Sequence, residues 1–414
     1  MTRTLLTGNA AAAWGARLAA ADYVPAFPIT PQTEIIETIS AWARSGDMPG
    51  RITMFESEHS MLTAAGAAAA TGVRVFTATS SQGLLYGLEM LYACAGWRAP
   101  FVLVNVSRGL AAPITLEADH NDVLAARDSG ALQIHCASCQ EVVDSVLMAF
   151  RLAEHPAVRL PAIVNVDGFQ LSFTREPVDL PDARAAADFV GPFAPGALKF
   201  RASTPISQAV AVLGGSAYSY FRYEMQRAAE AALAAHEPIA ADFARRFGRR
   251  YGAVEAYRMD DAEYAFLMIG SFATKARDAV DRLRKQGLRI GLVRPRLVRP
   301  FPAARIASLL WQTKAIAVID QNISLGAGGI LAGEVAAALY NASTRPLIAS
   351  YIGGLGGRDI GANEFDAMAD ELRSAAARGE APKPRLLFTA DELREVRKMQ
   401  AVAAVERHEL EAAP

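Results

Sequence analysis

The chain has 414 residues with a hydrophobic content of 52%, and Lys+Arg 42 against Asp+Glu 43 leaves a formal net charge of -1. That length suggests two or three domains with sizeable cores, and the charge balance argues against a nucleic-acid or membrane-surface partner. No run of about 18 uncharged apolar residues occurs, which excludes a membrane-spanning helix.

In chain order, MTRTLLTGNAAAAWGARLAAA looks superficially like a signal peptide. Gly8-Asn9 interrupts the apolar run and Arg17 falls inside it, so the segment is read as part of the fold. FPITPQTEIIE (27–37) sets Pro28 and Pro31 around Ile29 and Thr30 before a helical pattern, a strand-to-helix turn at a sheet edge. VRVFTATSS (73–81), PFVLVNVS (100–107) and LPAIVNVDGF (160–169) are apolar runs of the kind that buried parallel strands show. Helical runs lie between them at 61–72, 83–96 and 140–155. The alternation predicts an α/β, doubly wound parallel sheet. Residues 172–200, rich in proline, read as a long surface-wrapping connection, followed by a helix over 220–248 that bridges two units or packs on a partner chain. A second α/β unit begins near Ala262, with strands at 264–271, 288–298, 314–322 and 346–354. A charged, helix-prone tail follows from 381.

Three strands of the first unit end in FPITP (27–31), TATSSQG (77–83) and NVSRG (105–109). In an open parallel sheet such ends share one edge, so Thr30, Ser80, Ser81, Gln82 and Arg108 can converge on one crevice. FESEHS places Glu56, Glu58 and His59 before a helix of small residues. The cluster is either a helix-dipole charge group or a carboxylate whose apolar surround tunes it for proton chemistry. EADHNDVLAARDSG (117–130) holds Asp119, His120, Asp122, Arg127 and Asp128, where Asp–Arg and Asp–His pairs structuring a loop outweigh a metal site. Cys94, Cys136 and Cys139 cannot build a disulfide framework and suit a reducing, cytoplasmic compartment. The CxxC at 136–139 lacks further ligands, so two small buried side chains are expected and no metal site. No GxGxxG opens a first βα turn and no P-loop is present. GAGG (326–329) reads as a turn, whereas Arg358 in IGGLGGRD could meet a phosphate.

Taken together, FPITPQTEIIE, ESEHS, FTATSSQGL, AGWRAPFV, NVSR with ADHNDVLAARDSG, VDGF, FGRRYGAVEAYRMDDAE, RPRLVRPFP and IGGLGGRD resemble the α subunit of 2-oxoacid:ferredoxin oxidoreductases, the pyruvate synthase and phenylglyoxylate dehydrogenase group. The match runs in order from about Thr7 to about Asp359. The resemblance implies a thiamine-pyrophosphate pyrimidine-binding domain with its connecting segment over 1–245, a transketolase C-terminal-like α/β domain over 260–380 and a helical arm over 381–414. By the same resemblance Glu58 is expected to hydrogen-bond the cofactor's pyrimidine nitrogen, with Ile29, Ser81 and Gln82 beside the cofactor. Thr30 is expected to touch the substrate carboxylate or carbonyl, and Arg108 to pair with the carboxylate. The chain carries neither a GDG motif for a magnesium diphosphate nor cysteine clusters. The resemblance therefore implies that partner subunits supply Mg2+ and the iron–sulfur clusters: a diphosphate-binding β, a γ and a ferredoxin-like δ. Ferredoxin or a nicotinamide-linked subunit takes the electrons and coenzyme A takes the acyl group. Relatives acting on pyruvate usually carry an aromatic residue after RD-T/S-G, whereas Ala131 follows here. If that position faces the substrate, an aryl 2-oxoacid such as phenylglyoxylate fits; the alternatives are a pyruvate enzyme and a non-catalytic scaffold subunit.

Overall fold

The computed structural model describes residues 2–411 apart from 197, 198 and 209. The first unit runs β1 (Thr2–Thr7), α1 (Gly8–Leu18), β2 (Tyr23–Ala26), α2 (Thr33–Ser45), β3 (Arg51–Met54), α3 (Glu58–Ala70), β4 (Phe76–Thr79), α4 (Gln82–Tyr86) and α5 (Leu88–Gly96). It continues through β5 (Val102–Ser107), α6 (Asn121–Ala125), β6 (Leu132–His135), α7 (Cys139–Ala153), β7 (Ala162–Asp167), β8 (Arg175–Leu180), α8 (Ala183–Val190) and the long α9 (Gly215–Phe247). The second unit holds β9 (Val254–Tyr257), β10 (Tyr264–Leu267), α10 (Ala273–Lys285), β11 (Ile290–Pro295), β12 (Leu297–Arg299), α11 (Ala303–Leu310) and β13 (Ala315–Asp320). It ends with α12 (Ile330–Leu339), β14 (Leu347–Ile352), α13 (Ala362–Arg378), β15 (Arg385–Leu386) and α14 (Ala390–Glu411).

In the first sheet the order is β12-β6-β7-β5-β4, with β4, β5, β7 and β6 mutually parallel. Every residue of β5 and β7 is buried, because helices cover both faces of these strands. The parallel pair β2–β3 continues the surface beyond β4 through a bridge between Tyr23 and Val75. The second sheet has the order β15-β14-β13-β10-β11-β9, parallel except for the antiparallel β9. Met61, Leu91 and Val123 of the first unit share one hydrophobic cluster with Leu267, Val318 and Leu331 of the second, so a common core joins the sheets. The alanine-rich α3 lies close on α5: a Cβ on Gly66 would sit 2.3 Å from Cys94 Sγ.

Three stretches differ from the sequence reading. The presumed connection contains β8, which pairs antiparallel with β1 from Thr2↔Leu180 to Thr7↔Arg175, and α8, capped by the Asp182 side chain. Pro177 is tolerated because β8 is a strand of a two-stranded ribbon, but it and the charges hide the half-buried alternation. The single strand expected over 288–298 splits at Arg296. β11 stays in the second sheet, while β12 pairs antiparallel with β6 and becomes an edge of the first. α9 starts five residues earlier than expected, and its later half packs Ala232, Ile239, Phe243 and Phe247 into the first unit's core.

Candidate active site

The first unit's strands deliver their carboxyl ends to one edge, and there the FPITP turn is fixed from three sides. Asn9 Nδ2 donates to the Pro31 carbonyl at 2.9 Å, Gln32 Nε2 to the Phe27 carbonyl at 2.8 Å, and Arg108 Nε to the Thr30 carbonyl at 2.9 Å. The turn presents Thr30 exposed and Ile29 half-buried. Arg108, just past β5, is 6% exposed. Its guanidinium donates only to carbonyls, of Thr30 and, at 3.3 Å, of Thr115, and has no ion pair among the described residues. Burial pulls its pKa down, and the Asp122 charge acts the other way. A buried guanidinium without a counter-ion costs several kcal/mol by order of magnitude, so such a site suits an incoming carboxylate.

Glu58 opens α3 behind the Ser57 N-cap and is 5% exposed. Its carboxylate accepts no hydrogen bond from another described residue. Burial raises its pKa, and only its own amide works against that. The helix bearing Gly83 approaches so closely that a Cβ there would lie 2.4 Å from Glu58 Oε1 and 2.5 Å from Thr79 Oγ1. Thr79 Oγ1, Ser80 Oγ and Gln82 Nε2 are buried without partners among the described residues. Ser81 takes φ 47° and ψ -117°, a strained conformation for a side-chain-bearing residue and one that concentrates at functional sites. Its hydroxyl lies 2.7 Å from Gln82 Oε1 and 3.1 Å from the Gly109 carbonyl, tying the ends of β4 and β5 together. A lone acidic group beside unpaired hydroxyl and amide groups fits a heterocycle with both donor and acceptor nitrogens.

Beneath this shelf lies a brace that the sequence reading assigned only to loop structure. Asp122, fully buried, accepts from the Ser81 amide and from Asn105 Nδ2, each at 3.0 Å, and the Ser107 hydroxyl lies against its other oxygen. Burial raises its pKa against the Ser107, Asn105 and Val123 hydrogen bonds. The available signal was Asn105 and Ser107 alternating inside an otherwise apolar strand, two polar groups on one buried face. His120 Nε2 meets Asp167 Oδ1 at 2.8 Å, and Asp167 Oδ2 accepts from the Ser271 amide at 2.7 Å and hydroxyl at 2.6 Å. The His120 amide donates to the Gln321 carbonyl at 2.8 Å, so this cluster fastens the edge to the second sheet.

Thr30, Ile29, Glu58, Ser81, Gln82 and Arg108 thus belong to one edge of the sheet; Ala131 does not. It precedes Leu132, which is level with Val102 and Ala162, the first residues of β5 and β7. Arg108 follows the last residue of β5, so about 20 Å of strand separates the two levels. Ala131 instead borders a cleft with Gln226 of α9 and Phe301. Arg358 pairs with Glu364 at 2.8 Å and Glu392 at 2.7 Å, so the phosphate contact considered for it gives way to an internal clamp on α14. Cys136 and Cys139 are buried free thiols. Burial pushes both up, Cys139 to about 12, which makes them packing groups. Among the described residues no cluster of three His, Cys, Asp or Glu is arranged to hold a metal, and no helix is long and apolar enough to cross a membrane.

Comparison with known proteins matches residues 15–243 to the family described as pyruvate flavodoxin/ferredoxin oxidoreductase, thiamine diphosphate-binding, and residues 262–365 to pyruvate:ferredoxin oxidoreductase core domain II. The pyruvate synthase subunit PorA of Pyrococcus abyssi is 39% identical over 382 residues, 92% of this chain and 96% of that protein. The ketoisovalerate oxidoreductase subunit VorA of Pyrococcus horikoshii is 39% identical over 383 residues, with coverage of 92% and 96%. Among solved structures, the 2-oxoglutarate:ferredoxin oxidoreductase from Magnetococcus marinus with 2-oxoglutarate, coenzyme A and succinyl-CoA bound superposes with a TM-score of 0.69 at 18% identity. That match covers 90% of this chain and 65% of the solved one, which is therefore the longer. A split-gene transketolase, in its inactive β4 tetramer, gives 0.51 at 11% identity over 87% of this chain and 97% of its own, a likeness of fold.

Proposed function

This chain belongs to the 2-oxoacid:ferredoxin oxidoreductases as an α subunit, and from that premise we propose that its Glu58–Arg108 edge is half of a shared active site that oxidatively decarboxylates a 2-oxoacid to its acyl-CoA. The observation that carries this reading is a pair of buried ionisable groups on one edge, a carboxyl and a guanidinium, neither with an ion pair among the described residues. In this reading residues 1–245 form the pyrimidine-binding unit, 260–380 the transketolase C-terminal-like unit and 381–414 an arm.

Arg108 receives the substrate carboxylate through its guanidinium fork, and Thr30, whose carbonyl Arg108 already holds, orients it. Glu58 holds a proton toward the cofactor's pyrimidine, a role favoured by its raised pKa. Ile29, Ser81 and Gln82 flank it. Thiamine pyrophosphate, when bound, supplies the electron sink for loss of carbon dioxide. A diphosphate-binding β subunit holds it through Mg2+, and γ and ferredoxin-like δ subunits carry electrons through iron–sulfur clusters to ferredoxin or a nicotinamide-linked acceptor. The relatives' names favour pyruvate and branched aliphatic acids as substrates. With Ala131 remote from Arg108, the aryl reading has lost its motive.

The test is 2-oxoacid-dependent acceptor reduction by the assembled, purified complex carrying Glu58→Gln. A fall of about 10²–10⁴-fold with assembly intact is expected. Unchanged turnover would make this chain a scaffold.

A further inference from the structure

Glu58 and Arg108 stand at different strand ends, and one buried side chain is tied to the chain beside both. Asp122 lies in the first turn of α6 and is fully buried. Four polar groups converge on its two oxygens. Oδ2 accepts from the Ser81 amide and from Asn105 Nδ2, each at 3.0 Å, while Oδ1 accepts from the Val123 amide at 2.6 Å and lies against the Ser107 hydroxyl. A group that served only the start of α6 would need no more than the Val123 amide. Two of the other contacts come from β5, and the third comes from the residue that precedes α4. Arg108 gives its bonds to the Thr30 and Thr115 carbonyls and makes no ion pair with Asp122, so what Asp122 supplies is accepted hydrogen bonds rather than a counter-charge.

The Ser81 contact is the informative one. At φ 47° and ψ -117°, Ser81 holds a conformation that a residue with a side chain keeps only where its surroundings enforce it, at a cost of about 1–3 kcal/mol. Asp122 fixes its amide, and its hydroxyl lies 2.7 Å from Gln82 Oε1. The chain then runs directly against Glu58, because a Cβ on the next residue but one, Gly83, would sit 2.4 Å from Glu58 Oε1. On the other side Ser107 immediately precedes Arg108, whose Nε is committed to the Thr30 carbonyl. One carboxyl group thus fixes the residue before the cofactor shelf and the residue before the substrate guanidinium. On the reading of this edge as a thiamine-dependent site, we propose that Asp122 is a positioning residue for the decarboxylation: it holds Ser81 in its strained conformation and Ser107 in place, so that the Glu58 and Arg108 halves of the site keep one spacing. Its action reaches the site only through those two serines.

Two midpoints measured on the purified, assembled complex test this. One is the calorimetric binding of thiamine pyrophosphate with Mg2+ to complex stripped of it, and the other is KM for pyruvate in acceptor reduction. Asp122→Ala leaves the Ser81 amide and Asn105 Nδ2 without this acceptor and is expected to weaken both midpoints by about tenfold. Asp122→Asn keeps a carbonyl oxygen for those two donors and is expected to return both to within about threefold of wild type. In a Ser81→Gly background the backbone takes the same angles without strain, so the loss of cofactor binding caused by Asp122→Ala is expected to shrink to about threefold or less. Ser107→Ala loosens the carboxyl without removing it, is expected to raise KM for pyruvate by about threefold, and decides the matter if Asp122→Ala does not assemble. Unmoved midpoints in the assembled variant, an asparagine variant as weak as the alanine one, or losses indifferent to Ser81→Gly would overturn the proposal. Glu58→Gln assayed in parallel separates the two levels. If it leaves turnover unchanged, the edge is misassigned and the role of Asp122 falls with it; if turnover drops while the Asp122 midpoints stay put, only the role of Asp122 falls.

Discussion

Glu58 and Glu141 are buried carboxylates of the same unit, 5% and 3% exposed, and their surroundings treat them in opposite ways. At Glu58 burial pushes the pKa up and nothing but the residue's own amide offsets it. At Glu141 burial pushes the same way, but Arg294 and Arg296 overrule it and hold the carboxyl at about 2. Both oxygens of Glu141 lie 3.0 Å from Arg294 Nη2, the Ala137 amide donates at 2.9 Å, and Arg296 Nε closes the ring. The first environment leaves a charge available to a molecule that is not part of the chain; the second uses its charge to pin one sheet to the other. The contrast separates function from architecture more sharply than burial alone.

The same isosteric change therefore has opposite consequences in the two places. Glu141→Gln leaves Arg294 and Arg296 to share Glu255 as their one carboxylate and is expected to cost about 3 kcal/mol in urea unfolding at neutral pH. Because the folded pKa lies below the ordinary 4.5, the contribution of Glu141 is complete above pH 4.5 and drains away as pH falls toward 2. The gap between wild type and variant should accordingly close in acid. Glu58 has the reverse sign: its raised pKa favours the folded state in acid, and that advantage fades as pH climbs above the ordinary value. Glu58→Gln is expected to raise the unfolding midpoint at pH 7 even as it lowers turnover by about 10²–10⁴-fold. Equal losses of stability in both variants would erase the distinction.

Arg108→Lys sharpens the functional side. A lysine keeps the charge but loses the planar fork and the bond to the Thr30 carbonyl. An increase of about 10- to 100-fold in KM for the 2-oxoacid is expected, with little change in melting temperature. A KM that does not move would detach Arg108 from the substrate carboxylate.

The joint and the edge were not equally legible. β5 and β7 announce themselves as uninterrupted apolar runs, and the fold class follows from their alternation with helices. Thr30, Glu58 and Arg108 stand in short contiguous motifs that carry the family resemblance. The Glu141–Arg294 pair spans 153 residues, and nothing local marks either partner. The β12 pairing with β6 and the β1–β8 ribbon are long-range for the same reason, and both involve short or charged strands whose alternation is weak. Asp122 was visible as an acidic residue in a suspicious loop, but its role depends on polar groups projecting from β5, which only the folded register aligns.

Ala131 gives the smallest expected effect and the strictest check on that register. Its motif suggested a missing aromatic wall around the substrate, and motif spacing has no way to say at which end of a strand a residue sits. The pairing of Leu132 with Ala162, and of Ala162 with Val102, puts it at the amino edge, opposite Arg108. Ala131→Phe places a ring toward a neighbouring cleft of about 440 Å³ rather than the crevice at Thr30. The ratio of kcat/KM for phenylglyoxylate to that for pyruvate is therefore expected to change by less than about twofold, well under the 1.4 kcal/mol of a tenfold switch. A tenfold fall in that ratio would mean that this edge reaches a substrate after all, through the assembled complex, and would restore the aryl reading on new grounds.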